Sequence, residues 1–561
     1  MRKYLKNPLF IFAALVFFVA IFLRFWQVDK VPVSLFGDEI DVGLQANSIA
    51  QTGRDYFGNK LPILFHSFAE YRLPMQLYLD APFIKILGLS EWGVRAPSVI
   101  MGFISIIALY FLVKEFFDKK VATVAAIFLA ISPWHFLYSR QANDAGILLP
   151  FIILGTLYFV KGVKEFKFLI LSAVFFALGI YTYAIASLFV PLFVLFLVAI
   201  YRKKIFAYGP KKLLSLAFVS LVLLAPYIAQ SVSGRTTQRF SYITIAPKRD
   251  IILEVEEGRK FSNTTLSRIF NNKATVVTER ILQNYLKSFS PSFLFSEGDP
   301  NPRQSVKGYG VFYYFDLVLI LIGLFIWAST HSKLSEEKKR IFKVIGIWLI
   351  LAPLPSVLTE GGGTHASRLI LMLPPLIILS ALGFSSIPGY SGKIKGKLLL
   401  GVFILLMLYE VSRFFHGFFV IWPKESWRAW QYGFKEVGSY VRANEGRYER
   451  VFLNNTYEPM LTRFLFWYGY DMELFQKTFE DDKHIGGIYP GFNGFKLGEK
   501  YYFGELVKPI ETLAKEGNLI VASTEKDVSN PYIFDNPELT LLDIIYSPEH
   551  TPLFYIYSKS Q

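Results

Sequence analysis

Asp38 and Glu39 stand side by side in "SLFGDEIDVGLQANSIAQTG", directly after the first long apolar run of the chain. A carboxylate can remove or orient the proton of an attacking hydroxyl. The same pair also suits a helix N-terminus, which favours acids, and "IDVGLQANSIA" continues with a helical pattern. Asp144 lies in "SPWHFLYSRQANDAGILLPF", where an aspartate could equally cap the helix that follows. Glu70 and Arg72, in "FAEYRLP", read alone as an exposed ion pair of small energetic weight. His365 and Arg368 follow a glycine run in "GGGTHASRLILMLPP", and Arg140 and Arg303 add two further cations. Acids that activate a hydroxyl, with cations that hold a phosphate leaving group, would make a group-transfer site. His66 and His135 suit a structural role as well as a contact.

The elements that must position these groups are apolar helices. The chain has 561 residues, 53% of them hydrophobic and 17% aromatic, and its mean hydropathy is +0.37. Apolar segments fall near 8–27, 94–113, 121–138, 145–160, 168–182, 185–201, 213–230, 310–329, 341–358, 369–386 and 398–416. Many reach the length of about 20 residues that crosses a bilayer as a helix. The expected class is therefore a polytopic α-helical membrane protein with about 11 spans. Segment 75–89 is short and interrupted by Pro82 and Asp80, which suits an interfacial helix in the first external loop. The basic, apolar start "MRKYLKNPLFIFAALVFFVAIFLRFW" lacks a small-residue cleavage site and reads as an uncleaved first span. There are no cysteines, which excludes disulfides, thiolate metal sites and cysteine nucleophiles.

The net charge of +15 does not point to nucleic acid, because most basic residues cluster in short loops on alternate sides of the apolar runs. Arg2/Lys3/Lys6, Lys114/Lys119/Lys120, Lys161/Lys164/Lys167, Arg202/Lys203/Lys204 with Lys211/Lys212, Lys333/Lys338/Lys339/Arg340/Lys343 and Lys393/Lys395/Lys397 form one set. Positive-inside asymmetry makes that set cytoplasmic, with the N-terminus inside and the C-terminus outside. The long segments 28–93, 231–309 and 417–561 then fall outside. The proposed organisation is a membrane domain over 1–416 and an extracytoplasmic α/β domain over 417–561. In that domain "ESWRAWQYGFKEVGSYV" has helical spacing, and "RVFLNN", "NLIVAST", "LTLLDIIYS" and "PLFYIYS" read as strands, the last two as a hairpin. "VVTERILQNYLKSF" reads as an amphipathic helix in the second long loop. "GYSGKIKGK" is a basic loop rather than a phosphate loop, because its glycine spacing is wrong.

The run "GDEIDVGLQANSIAQTG", then "YRLPMQLYLDAPFIKILGLSEWGVRAPSVIMG", then "SPWHFLYSRQANDAGILLPF" resembles the bacterial branch of the dolichyl-phosphate-mannose–protein mannosyltransferase family. Its relatives include the lipid A aminoarabinose transferases among the membrane-embedded GT-C glycosyltransferases. The resemblance covers residues 30–160, weakens at "GDPNPRQSVKGYG" and "THASRLILMLPP", and fades in the C-terminal domain. It implies a GT-C fold with Asp38 as base on the acceptor, Glu39 as its companion, and Asp144 and Glu70 as matching acids. Where relatives often carry Lys before the following Pro, this chain reads Tyr71-Arg72-Leu73-Pro74. Arg72, Arg140, Arg303, His365 and Arg368 are the candidates for the phosphate.

The expected function is transfer of a sugar, mannose-like hexose foremost, from a polyprenyl-phosphate donor to a hydroxyl of a protein, lipid or glycan. The transfer inverts the sugar, and the active site faces outward at the plasma membrane. The carboxylates permit a divalent metal, but no ligand spacing requires one. A transporter or flippase of lipid-linked sugars is the rival, yet it predicts midplane ionisable groups and paired halves, whereas the polar residues here crowd the outer edge. A catalytically dead relative serving as receptor or scaffold is the other.

Overall fold

The computed structural model describes residues 8–560 apart from 69, 237–243, 246–248, 261–263, 331, 333, 388–393, 456, 480–485 and 524–536. Arg2, Lys3, Lys6, Lys333 and Lys393, used above to orient the chain, lie outside the described residues. The chain divides into two compact units. One comprises Met1–Trp26, Ile63–Gln76 and Ser98–Phe418; the other Gln27–Pro62, Leu77–Pro97 and Phe419–Gln561. The boundary near 418 falls where the composition changes. However, the second unit also takes in most of the first long loop, which the sequence reading placed with the membrane domain.

Each of the eleven apolar segments carries a helix, from Pro8–Phe25 to Ile394–His416. Among the described residues, six helices are long and apolar enough to cross a membrane, and four more are apolar but shorter. The remaining one, Lys119–Ile131, stops at Ser132 because Pro133 opens a new short helix, Pro133–Tyr138. Proline lacks the N–H that would continue the first helix but suits the first turn of the next. The segment expected from 310 becomes helical only at Tyr314.

In the first unit, Asp144–Gly162 packs on Lys167–Ile180, and Tyr314–Thr330 packs on Leu373–Ser386. The second pair meets backbone to backbone. A Cβ on Gly383 would lie 2.0 Å from the Leu319 carbonyl oxygen, so only glycine fits. Asp316 accepts from Ser380 Oγ (2.7 Å) and the Tyr313 amide (3.2 Å), and Glu410 accepts from the Phe315 amide (3.3 Å). Both acids thus satisfy donors at the start of Tyr314–Thr330, a structural use for two charges inside apolar segments. The amphipathic helix expected in the second long loop is present as Lys273–Ser288, with Val276 joining Ile245, Ile251 and Val255 in a small core.

The second unit is built on a mixed sheet, with seven strands among the described residues. They are β1 (Arg450–Asn454), β2 (Gly486–Tyr489), β3 (Phe492–Leu497), β4 (Tyr501–Leu506), β5 (Asn518–Ser523), β6 (Leu539–Tyr546) and β7 (Pro552–Lys559). Their spatial order is β2-β3-β4-β1-β5-β7-β6, with β1 parallel to β4 and β5 and the other pairs antiparallel. Phe452, Phe492, Tyr502, Ile520, Tyr555 and Tyr557 fill the core of one face. On the other, Phe464 of the Met460–Tyr468 helix meets Tyr501 at 4.8 Å and Phe503 at 5.4 Å between ring centroids. The helix expected to include Trp427 begins only at Phe434, since Gly433 has φ 108° and breaks the turn before it. Trp430, Phe434, Val437 and Val441 are nevertheless buried, as their spacing requires. The Gly37–Thr52 helix packs within this same unit on Met460–Tyr468 and Met472–Thr478.

Candidate active site

In the second unit the acidic pair opens the Gly37–Thr52 helix, as its first-turn position predicts. The two carboxylates have different surroundings. Glu39 is 3% exposed, and Arg95 is fully buried against it. Arg95 Nε donates to Glu39 Oε1 (3.0 Å) and Nη2 to Oε2 (2.9 Å), a bidentate pair. The same guanidinium donates to the carbonyls of Val28 (2.9 Å), Pro32 (3.0 Å) and Ser34 (2.5 Å). Glu39 Oε2 also accepts from the Phe36 amide at 3.2 Å. With both oxygens so occupied, Glu39 locks the turn leading into the helix and is no free acid or base.

Asp38, one residue earlier, is half-buried. Arg463 of the Met460–Tyr468 helix, 4% exposed, lies close enough for the Asp38 charge to act on it. Burial lowers the Arg463 guanidinium to about 10, against the opposing charges of Glu458, Tyr457 and Asp38. Its Nη1 donates to the Pro459 carbonyl (2.5 Å), and Nη2 donates to Gln431 Oε1 and lies 3.5 Å from Glu458 Oε2. Gln431 Oε1 also accepts from the Gly37 amide at 2.9 Å.

In the first unit, the cap of the Asp144–Gly162 helix is Asn143, whose side chain accepts from the Ala145 amide (2.9 Å). Asp144 follows as a half-buried first helical residue and is not the cap. Glu70 and Arg72 form an ion pair at 3.6 Å on a short antiparallel ladder, Phe65–His66 with Tyr71–Arg72. At 19% and 12% side-chain exposure the pair is largely buried, rather than the exposed one the sequence suggested.

Three phosphate candidates gather around a residue not singled out before, Asp299. This carboxylate accepts from the amides of Asn301 (2.8 Å) and Ala366 (2.7 Å), and His365 Nδ1 lies 4.0 Å away. Burial raises the Asp299 pKa, while those two N–H bonds and the charges of Arg303 and Arg368 oppose the rise. His365 Nδ1 also meets Ser367 Oγ at 3.0 Å, and Arg368 Nη1 donates to Thr359 Oγ1 at 2.7 Å. Arg303 is half-buried in the turn that Asp299 starts, its amide donating to Asn301 Oδ1 (3.0 Å). Loop 299–305 and loop 365–368 are thus tied together through one buried acid.

Arg140 lies at the end of the first helix. It is fully buried, and its Nη1 donates to the carbonyls of Leu23 (2.5 Å) and Arg24 (2.9 Å), which end the Pro8–Phe25 helix. A guanidinium that satisfies helix-terminal carbonyls acts as a C-terminal cap. His135 is likewise buried, 2.9 Å from Arg24 Nη2, and takes the structural role. Among the described residues, no three His, Asp or Glu side chains are grouped to hold a metal ion. Arg95, Arg463 and Gln431 were missed as well. The first two are charges inside apolar helical runs, "GVRAPSVIMG" and "MLTRFLFWYG", and that is the signal that could have found them.

Comparison with known proteins bears out the resemblance. Residues 71–229 match the family described as dolichyl-phosphate-mannose-protein mannosyltransferase. The mannosyltransferase-like protein YycA of Bacillus subtilis (strain 168) is 30% identical over 154 residues, 27% of this chain and 22% of that protein. A second protein of that organism with the same description, YkcB, is 30% identical over 95 residues, 17% of this chain and 13% of that protein. The matches thus span less than a quarter of either relative. The crystal structure of ArnT from Cupriavidus metallidurans bound to undecaprenyl phosphate covers 98% of both chains, with a TM-score of 0.51 at 13% identity. Its apo state gives a TM-score of 0.53 at 11% identity, again over 98% of both chains. At that identity the likeness establishes the fold. Residues 71–229 are thus similar to the dolichyl-phosphate-mannose-protein mannosyltransferases, and over 98% of its length the chain shares the fold of ArnT.

Proposed function

We propose that the chain is an integral-membrane glycosyltransferase that takes a sugar, mannose-like hexose foremost, from a polyprenyl-phosphate donor. The acceptor is a hydroxyl of a protein, lipid or glycan. Asp38 takes the hydroxyl proton as the acceptor oxygen bonds to the anomeric carbon. The carbon–oxygen bond to phosphate breaks in the same displacement, its electron pair leaves with the polyprenyl phosphate, and the sugar configuration inverts. Arg303, His365 and Arg368 offer the charge and donors that such a leaving group needs. Asp144 is the further acid of the reaction, Glu70 and Arg72 are substrate contacts, and Glu39 with Arg95 fixes the turn that carries Asp38. The N-terminus lies inside, the C-terminal domain outside, and the reaction runs at the outer face of the plasma membrane.

The observation that carries this reading is the contrast within the acidic pair: Glu39 is fully engaged by Arg95, while its half-buried neighbour Asp38 is set on that rigid turn. The relation to mannosyltransferases over residues 71–229 supplies the class of reaction. Purified protein given radiolabelled polyprenyl-phosphate hexoses and a membrane extract should yield a labelled acceptor. Asp38→Ala should abolish that transfer with folding intact; equal transfer by the variant removes Asp38 from its role.

A further inference from the structure

The start of the Gly37–Thr52 helix is not built by the first loop alone. Gly37, the residue before Asp38, gives its amide hydrogen to Gln431 Oε1 at 2.9 Å, and the same oxygen accepts from Arg463 Nη2. The guanidinium is close enough to Gly37 that a Cβ there would lie 3.0 Å from Nη2. Arg463 is itself held from three sides. The Pro459 carbonyl accepts from Nη1 (2.5 Å), Phe434 lies beneath the plane at 4.9 Å, and Glu458 stands at 3.5 Å. A buried cation costs several kcal/mol to desolvate, and Phe434, a backbone oxygen and a half-exposed glutamate compensate it only in part. The Asp38 charge, next to the Gly37 amide that shares Gln431 with Arg463, is among those that act on the guanidinium.

We infer that Arg463 is a positioning residue for Asp38: with Gln431 as the bridge, its guanidinium orients the carboxylate and holds it ionised, ready to receive a proton. This rests on the reading of Asp38 as base, and it assigns the Met460–Tyr468 helix a part in the reaction. Charged groups near the start of the helix include Glu39, Arg463 and Glu458. Glu39 is neutralised by Arg95, Arg463 attracts, and Glu458 competes with Asp38 for Arg463. An opposite charge within a few ångströms lowers a carboxylate pKa by about 1–3 units, and half-exposure reduces that.

The test measures Asp38 directly. Full-length protein in detergent is treated with a water-soluble carbodiimide, which modifies protonated carboxyls, across a pH series, and labelling of Asp38 is followed by mass spectrometry. Arg463→Gln should raise the midpoint for Asp38 labelling by about one pH unit, and Arg463→Lys should keep it near the wild-type value. Glu458→Gln, which leaves Arg463 in place and removes its competitor, should move the midpoint down. Coincident midpoints in all four proteins would overturn the inference, and the Glu458 variant decides it should the Arg463 variants fail to fold. In transfer assays the acid limb of the Arg463→Gln profile should rise by the same amount. If Asp38→Ala retains transfer while the labelling midpoints move, the base assignment fails and the Arg463 coupling stands; if Asp38→Ala is inactive and the midpoints coincide, only the coupling fails.

Discussion

Arg95→Leu is the sharpest test of how the acidic turn is held. Arg95 is fully buried and supplies two hydrogen bonds to Glu39 and one each to the carbonyls of Val28, Pro32 and Ser34. Removing one partner of a buried ion pair leaves the other charge uncompensated, at a cost of about 3–5 kcal/mol. The three carbonyls lose their donor too, at about 1–3 kcal/mol each where water cannot replace it. These terms overlap because the turn relaxes as a unit, so the expected loss is about 4–6 kcal/mol rather than the sum. The double variant Glu39→Leu/Arg95→Leu removes the stranded charge but not the stranded carbonyls, so it should recover only about half of that. Chemical unfolding of the detergent-solubilised protein, followed by limited proteolysis within residues 27–62, measures both. A single variant within about 1 kcal/mol of wild type, or a double variant fully restored, would refute the account, because surface ion pairs alone behave that way.

Other expectations concern the first unit. The Asp299 pKa is raised from 3.8 by burial, so this acid binds its proton more tightly folded than unfolded. Its contribution is therefore greatest below about pH 4 and is lost as pH rises through the raised value. Unfolding of wild type should show that loss and Asp299→Asn should not; identical pH profiles would sink the assignment. Arg303→Ala should raise KM for the polyprenyl-phosphate donor about 10- to 100-fold with kcat little changed, since a hydrogen bond to a charged group contributes about 1.5–3 kcal/mol; an unchanged KM removes it from the phosphate. Gly383→Ala places a methyl 2.0 Å from the Leu319 oxygen and should cost about 1–3 kcal/mol in thermal unfolding. Arg140→Gln should lower stability through the end of the Pro8–Phe25 helix while leaving donor KM unchanged, and a raised KM would return Arg140 to the phosphate.

The helical framework was legible because each helix-bearing segment is an apolar run, and such runs need no long-range information to be read. Three strands, β2, β3 and β4, went unread: "GGIYPGFNGFKLGEKYYFGEL" is dense in glycine, and its order in the sheet comes from pairing partners distant in sequence. At the site, the location of Asp38 and Glu39 could be read from their place after the first apolar run. Their division of labour could not, since it depends on Arg95, some 56 residues on and hidden in an apolar helix. The same holds for Arg140: a cation beside "QAND" looks available for a ligand until its carbonyl partners at Leu23 and Arg24 are seen. Capping by Asn143 in place of Asp144 is a one-residue distinction that sequence spacing does not resolve.

The second unit is assembled from the two ends of the chain, and this has a consequence for biosynthesis. The Gly37–Thr52 helix emerges from the ribosome early, yet Gln431 and Arg463, which hold its first turn, are made roughly four hundred residues later. At about 5–20 residues per second that is a wait on the order of 20–80 s. Throughout it, Gly43 has Val94 beside it but lacks the Phe466 ring that will rest against it. Nascent chains arrested before position 460 should therefore engage chaperones through residues 37–62 and shed them once translation ends.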